Sequence, residues 1–185
     1  MINRKSFYDS FRVDFGAIKQ SQVDGFEAIF DEADKQNIDV RHLAYMLATA
    51  WHETAKTMQP IEEIGRGKTK PYGKRLKQSG MIYTDTDQIF YGRGFVQLTW
   101  YENYLKAGVK LGHDFIHNAA DVMQLGFATR IMFSGMREGW FTGRKLSHYF
   151  NDKITDPINA RKIINGLDCT TTIKGYYDKF YEALT

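Results

Sequence analysis

The chain has 185 residues, 43% of them hydrophobic and 15% aromatic, with a charged fraction of 25%. That length and apolar content can bury a sizeable core in a single domain spanning residues 1–185, and the composition excludes a disordered chain or a coiled coil. Lys and Arg number 25 against 22 Asp and Glu, so the formal charge is +3, a mild bias toward anionic partners that selects none of them.

Met1 to Asp9 carries charges with no apolar run behind it, so no secretory signal is expected. Ser21, Asp24 three residues on, and then Phe26, Ile29, Phe30 and Ala33 predict a capped amphipathic helix with a packing role. Leu43, Met46, Leu47 and Ala50 predict a second helix running to His52, Glu53 and Thr54. Leu43 to Trp51 is the most apolar stretch and is far too short to span a bilayer, so the expectation is a soluble chain made in the cytoplasm.

Residues 64–80 hold Gly65, Gly67, Pro71, Gly73 and Gly80 among basic residues and predict a long surface loop. Arg66, Lys68, Lys70, Lys74, Arg75 and Lys77 form the one local charge cluster. It reads either as a solvated loop or as a docking site for an anionic polymer, nucleic acid or cell wall. Met81 to Thr84 and Gln88 to Tyr91 flank Asp85-Thr86-Asp87 as a candidate small hairpin.

Thr99 with Glu102 is a capping box that opens a helix through Tyr104, Leu105 and Val109, ending near Gly112. Val122, Leu125, Ala128, Ile131 and Met132 mark another helix over 119–135. That helix and the basic turn after it, to about residue 146, read as a core helix or as a weak contact with anionic membranes. Asp156-Pro157 looks like a cap and first-turn proline ahead of Ile163, Ile164 and a terminating Gly166. Ile173, Tyr177, Phe180 and Leu184 lie at helical spacing in a last helix. Cys169, just before it, is the only cysteine, so no intrachain disulfide can form and a small buried residue is expected there. The series predicts a mainly helical (α+β) architecture with a minor sheet.

Glu53 falls seven residues after Met46 and three after Ala50, so on a helix it extends the apolar stripe. A carboxyl desolvated in that way tends to keep its proton, which suits a general acid for a glycosidic oxygen. Glu62 and Glu63, after a proline-containing turn, are candidates for the second carboxylate that such chemistry needs. Two rival motifs fail: a zincin needs His where Lys56 stands, and a phosphate loop ending in Gly67-Lys68-Thr69 needs Gly where Glu62 stands. His113 and His117 are four apart, but Asp114 stands where a zincin has Glu.

Two segments carry a family resemblance. Ala44 to Glu63, AYMLATAWHETAKTMQPIEE, and Tyr91 to Tyr104, YGRGFVQLTWYENY, resemble the signature segments of glycoside hydrolase family 19. Arg161-Lys162-Ile163-Ile164-Asn165-Gly166, with Gly175-Tyr176-Tyr177 and Phe180-Tyr181 after it, is similar to that family's Ile-Asn-Gly stretch and last helix. The likeness runs in order from about Ile38 to the end.

It implies a lysozyme-like, two-lobed helical domain with a central sugar cleft, hydrolysis of β-1,4 links with inversion, and no metal or organic cofactor. Glu53 in His-Glu-Thr matches the general acid, and Glu63 matches the general base, with Glu62 as the alternative. Thr99 takes the place of a serine that helps hold the nucleophilic water, although it is equally the apparent helix cap. Gln97, Asn103 and Asn165 match sugar-contacting amides. Tyr91, Arg93 and His52 lie in the same segments, as cleft wall or substrate contacts.

Leu167 departs from the pattern, where a second glycine is expected, and the cysteines of secreted plant chitinases are absent. Both that absence and Phe141-Thr142-Gly143 after Gly139-Trp140 resemble the phage subgroup. The resemblance then implies a monomeric endolysin, a lysozyme-like muramidase that cuts peptidoglycan and leaves the host cytoplasm through a separate holin, with no nucleic-acid partner. A chitinase of the same fold, a zinc amidase using His113 and His117, and a non-catalytic wall-binding module are the competing readings.

Overall fold

The computed structural model describes residues 2–185. Its helices are α1 (Arg4–Phe15), α2 (Gln20–Gln36), α3 (Val40–Glu53), α4 (Tyr101–Leu111), α5 (Leu125–Glu138) and α6 (Thr170–Leu184), with one antiparallel pair, β1 (Ile61–Glu62) and β2 (Arg93–Gly94). Short 3-10 helices occupy Pro71–Lys74, Ala119–Met123, Leu146–His148 and Asn159–Ile163.

Helix α3 is the hub. Leu43 to Trp51 are buried without a break, so it is apolar all round, as a helix surrounded by others must be. Asp39 opens it by accepting from the Arg41 amide at 2.8 Å. The Thr54 hydroxyl ties its far end down, donating to Ala50 O at 2.7 Å and accepting from the Met58 amide at 3.1 Å. Helices α1, α2 and α6 close around α3 through aromatic rings packed edge to face, Phe7 on Phe30 at 4.7 Å and Phe11 on Trp51 at 5.5 Å among them. A Cβ at Gly25 would lie 1.8 Å from Met58 O, so only glycine lets α2 pass under that turn. A second aromatic centre, Tyr83, Phe90, Tyr101 and Tyr104, sits under α4, and the two centres form the lobes of one continuous core.

The mainly helical expectation holds, and Phe26, Ile29, Phe30 and Ala33 are buried on α2 as predicted. Several local expectations do not hold. Helix α1, unforeseen, is fixed by Asn3 accepting from the Ser6 amide and by Phe7 and Phe11. Helix α2 is capped at Lys19, whose amide is held by the Gln22 side chain, and not at Ser21. The hairpin over 81–91 is absent. Met81 and Ile82 are exposed, Phe90 and Tyr91 are buried, and side chains in the turn bond elsewhere: Asp85 accepts from Tyr101 at 2.6 Å and Thr86 donates to Ile116 O at 3.0 Å.

The predicted helix over 119–135 is split by Gln124, which is extended at ψ 131°. Its second part, α5, buries Ala128, Ile131, Met132, Phe133 and Met136 in the core. Asp156 accepts from the Asn159 amide at 3.0 Å, but it is not the cap predicted: only the short 3-10 helix follows, with Ile158 in its cap position and no side-chain cap bond. Cys169 is exposed, in the left-handed region at φ 56°, instead of buried. Residues 64–80 are the expected run of turns. Among the described residues, no helix is long and apolar enough to cross a membrane.

Candidate active site

Helix α3 delivers Glu53 at its last turn, and the side chain is 15% exposed. The surroundings are not the purely apolar stripe predicted. Arg161, 4% exposed, places Nη1 2.5 Å from Glu53 Oε1. The same guanidinium reaches Asp168, with Nη2 at 3.2 Å from Oδ2 and Nε at 3.3 Å from the carbonyl oxygen. Burial works against the Arg161 cation, but Glu53 and Asp168 outweigh it and hold its pKa above the ordinary value. Asp168 is in turn held below the usual carboxylate range by its bond from Arg161. The pairing leaves Glu53 Oε2 without a protein partner.

The two adjacent glutamates part company at β1. Glu63, just past the strand, accepts from the Tyr72 hydroxyl at 2.9 Å and from the Gly92 amide at 3.1 Å. Its own amide donates to Gly92 O at 2.7 Å. Glu62 faces the other way, as alternation along an extended strand requires. It accepts from Tyr91 at 2.6 Å, stands 3.4 Å from Arg93 Nε, and pairs with Arg66 at 2.8 Å. Tyr91 foremost, then Arg66 and Arg93, keep its pKa below the usual range against the effect of burial.

Glu53 and Glu63 line one groove of about 350 Å³, together with Tyr72, Gly92, Gln97, Thr99, Ile164 and Asn165. The stretch before α4 presents its side chains from an unusual backbone, with Gln97 at φ 50° and Trp100 at φ 71°. Gln97 Nε2 donates to Ile61 O at 3.1 Å, which ties this stretch to β1. Thr99 is not the helix cap predicted. Helix α4 starts at Tyr101 with Trp100 in the cap position and no side-chain cap bond, so the Thr99 hydroxyl is left to the groove. Glu102 accepts instead from the Gln78 amide at 2.8 Å.

The remaining predicted residues divide. Asn103, buried on α4, donates to Thr99 O at 2.9 Å and lines an adjoining recess. Tyr91 and Arg93 are buried and do not line the groove. The Arg93 guanidinium lies 3.6 Å from the Tyr91 ring centre and bonds Ile89 O and the Tyr104 hydroxyl, so the pair braces the wall from behind. His52 is half-buried and outside the groove lining. His113 and His117 do not converge: the first pairs with Asp121 at 2.8 Å and the second with Asp114 at 2.7 Å.

Sequence reasoning missed Arg161, Asp168, Tyr72 and Gly92. Arg161 opens the Arg161 to Gly166 segment that carries the family resemblance, and its position there is the sequence signal for it. A Cβ at Gly92 would fall 2.8 Å from Gln97 Oε1 and 3.3 Å from Glu63 Cβ, so glycine is what allows these two side chains to meet there. Nothing in the sequence distinguished Tyr72 from the basic loop around it. Two carboxylates in one open groove, one bonded to a guanidinium and the other to a hydroxyl and a backbone amide, can act as a proton donor and a proton acceptor on one bound molecule.

No protein-family profile matches the sequence, and no curated protein does. Solved structures match along nearly its whole length. Chitinase C from Streptomyces griseus superposes with a TM-score of 0.66 at 21% identity, over 99% of this chain and 76% of that one. A bacterial family 19 chitinase gives 0.63 at 21%, over 99% and 94%. The family 19 class IV chitinase from Zea mays gives 0.61 at 19%, over 96% and 90%. The chain has the family 19 chitinase fold. Within that fold, the segments that carried the sequence resemblance converge: Ala44 to Glu63 supplies both carboxylates, Tyr91 to Tyr104 supplies Gln97 and Thr99, and Ile164 and Asn165 complete the groove.

Proposed function

We propose that this chain is a glycoside hydrolase of the phage endolysin type, cutting the β-1,4 link between N-acetylmuramic acid and N-acetylglucosamine in bacterial peptidoglycan. The observation that carries this reading is that Glu53 and Glu63, from separate elements, line a single groove in a family 19 chitinase fold. In the proposed reaction Glu53 protonates the leaving oxygen through Oε2, the oxygen that Arg161 leaves free. Glu63 takes a proton from a water, which Thr99 and Gln97 help place, and that water attacks from the opposite face of the sugar. The anomeric configuration inverts. Glu62, held by Tyr91, Arg93 and Arg66, supports the wall and takes no part in proton transfer.

Lys68, Lys70 and Lys74 favour peptidoglycan over chitin. They are exposed and have no ion-pair partner, on the loop that also sends Tyr72 to Glu63. Peptide stems of peptidoglycan carry carboxylates that such a rim attracts, whereas chitin is neutral. The second reading, a chitinase, has in its favour the activity named for the three structures described above. Delivery to the wall through a separate holin belongs to the endolysin reading.

The test is digestion of purified peptidoglycan and of chitin oligomers side by side, with mass spectrometry of the fragments. Wild type is expected to release new reducing ends from peptidoglycan at muramic acid, and Glu53→Gln and Glu63→Gln to bind the polymer but release none. Fragments cleaved at the amide bond, or normal release by Glu53→Gln, would falsify the proposal.

A further inference from the structure

The chain from Thr54 to Glu62 joins the two groove carboxylates, and its first half has a backbone that its side chains disfavour. Ala55, Lys56 and Met58 all lie in the left-handed region, at φ 49°, 67° and 51°. None is glycine, so each conformation persists only where the surroundings impose it. Part of the constraint is local. The Lys56 amide donates to Trp51 O at 2.8 Å, the Thr57 hydroxyl donates to Thr54 O at 2.8 Å, and the Met58 side chain is buried. These bonds shape the turn but reach back only to the end of α3, so they do not by themselves fix the direction in which the chain leaves the helix.

That direction is set from α2, whose residues lie outside the groove lining. Gln22 Nε2 donates to Lys56 O at 2.8 Å, and Gln59 Nε2 donates to Ser21 O at 2.5 Å. The two bonds run in opposite senses between the same two segments, so they pin the turn on both sides of Met58. Between them Met58 O passes close over α2, where a Cβ at Gly25 would lie 1.8 Å from it. Gln22 is itself held, because its Oε1 accepts from the Lys19 amide at 2.8 Å in the cap of α2. One side chain thus closes the helix and grips the turn.

We infer that Gln22 and Gln59 are positioning residues for glycoside hydrolysis, which act by fixing the gap between Glu53 and Glu63. The inference rests on the glycan-cleaving reading above. Inversion needs two carboxyl groups roughly 6.5–9.5 Å apart, wide enough for one water. A turn free to pivot at Thr54 would vary that gap, and a misplacement of about 1 Å costs on the order of 100-fold in rate. Neither glutamine meets substrate; each works through the backbone of the turn.

The experiment uses the full chain with chitotetraose and soluble uncrosslinked peptidoglycan strands. Gln22→Glu keeps an acceptor for the Lys19 amide but has no donor for Lys56 O, and Gln59→Glu likewise loses the donor to Ser21 O. The double variant is expected to lower kcat about 10- to 100-fold with KM within about twofold of wild type. Its affinity for the glycans, measured by calorimetry in the Glu53→Gln background, should not change. Gln22→Lys makes the opposite exchange, since its ammonium can donate to Lys56 O but cannot accept from the Lys19 amide. It is expected to lower the thermal midpoint through the lost cap and to recover most of the rate, so that activity follows the grip on the turn and not the stability of α2. An unchanged kcat in the double variant, a loss that falls on KM instead, or an equal loss of kcat in Gln22→Lys overturns the inference and leaves the glycosidase reading standing. If wild type cleaves neither glycan, the reading and the inference fail together.

Discussion

Arg161 Nη1 lies 2.5 Å from Glu53 Oε1, and the same guanidinium holds Asp168 at 3.2 Å. One buried cation thus joins the end of α3 to the segment before α6, and it engages Glu53 Oε1 while leaving Oε2 without a protein partner. Removing it leaves two carboxylates together without a counter-charge. Arg161→Met is expected to cost about 3–5 kcal/mol of stability, the range for breaking a buried pair by deleting one partner, and to abolish turnover. Arg161→Lys is expected to recover part of the stability and little of the rate, since an ammonium lacks the planar fork that reaches both carboxylates. Urea midpoints and initial rates check this; a fully active Arg161→Met would dismiss it.

The Tyr72 hydroxyl is pushed up to about 12 by burial and then by its bond to Glu63. It therefore stays protonated, and a donor, throughout the pH range in which the fold can be assayed. Tyr72→Phe is expected to lower kcat about tenfold, the loss of one hydrogen bond to a charged group in the site, without a new alkaline limb. If wild type loses activity near pH 9 and Tyr72→Phe does not, that limb belongs to Tyr72 and the argument is wrong.

Glu62 and Glu63 should respond oppositely to conversion to glutamine. Glu62→Gln is expected to keep near-normal turnover and to lose on the order of 1 kcal/mol of stability at pH 7, since the charge is partly screened by solvent. The sign with pH follows from the depressed Glu62 pKa in the folded state. Its stabilisation is complete above the unfolded value of about 4.3 and is lost as pH falls through the lower folded value. Denaturant midpoints of wild type and Glu62→Gln should therefore converge between pH 5 and pH 2.5. A gap that stays constant with pH would show that the Glu62 charge is not its source.

Because no cap bond engages Thr99, Thr99→Val is expected to leave stability within about 0.5 kcal/mol, where loss of a true cap costs about 1 kcal/mol. Its kcat should fall about tenfold through a misplaced water, with Thr99→Ser close to wild type. A thermal melt and a rate measurement on the two variants separate the roles; a destabilised, fully active Thr99→Val would restore the capping view.

Legibility in the sequence followed the range of the interactions involved. Helix α3 and the buried positions of α2 and α6 were readable, because periodicity records which face of a helix is apolar. Glu53 and Glu63 were readable through the segments that hold them. The sheet was misplaced, since β-prone runs at 81–91 have their turn side chains bonded to Tyr101 and Ile116, partners that lie 16 and 30 residues away. Arg161 and Tyr72 were not recognised for the same reason: each acquires its role from a carboxylate distant in the chain, 108 and 9 residues off, that only folding brings near. Thr99 shows the reverse error, a local pattern for a capping box overridden when Glu102 turned to Gln78.

The β1–β2 ladder has two rungs, Ile61 opposite Gly94 and Glu62 opposite Arg93. Because successive strand residues point to opposite sides, sliding β1 by a single position would hand the groove Glu62 and bury Glu63 against the arginine. Chemically the two side chains are identical, so selection between them is made by alignment alone. The Glu62–Arg93 contact, sitting on one of those rungs, cannot choose the alignment by itself, because Glu63 would offer the arginine the same charge; what a slide would break is the Tyr91 and Arg66 contacts of Glu62 and the Tyr72 and Gly92 contacts of Glu63, so neighbours off the ladder hold it in place.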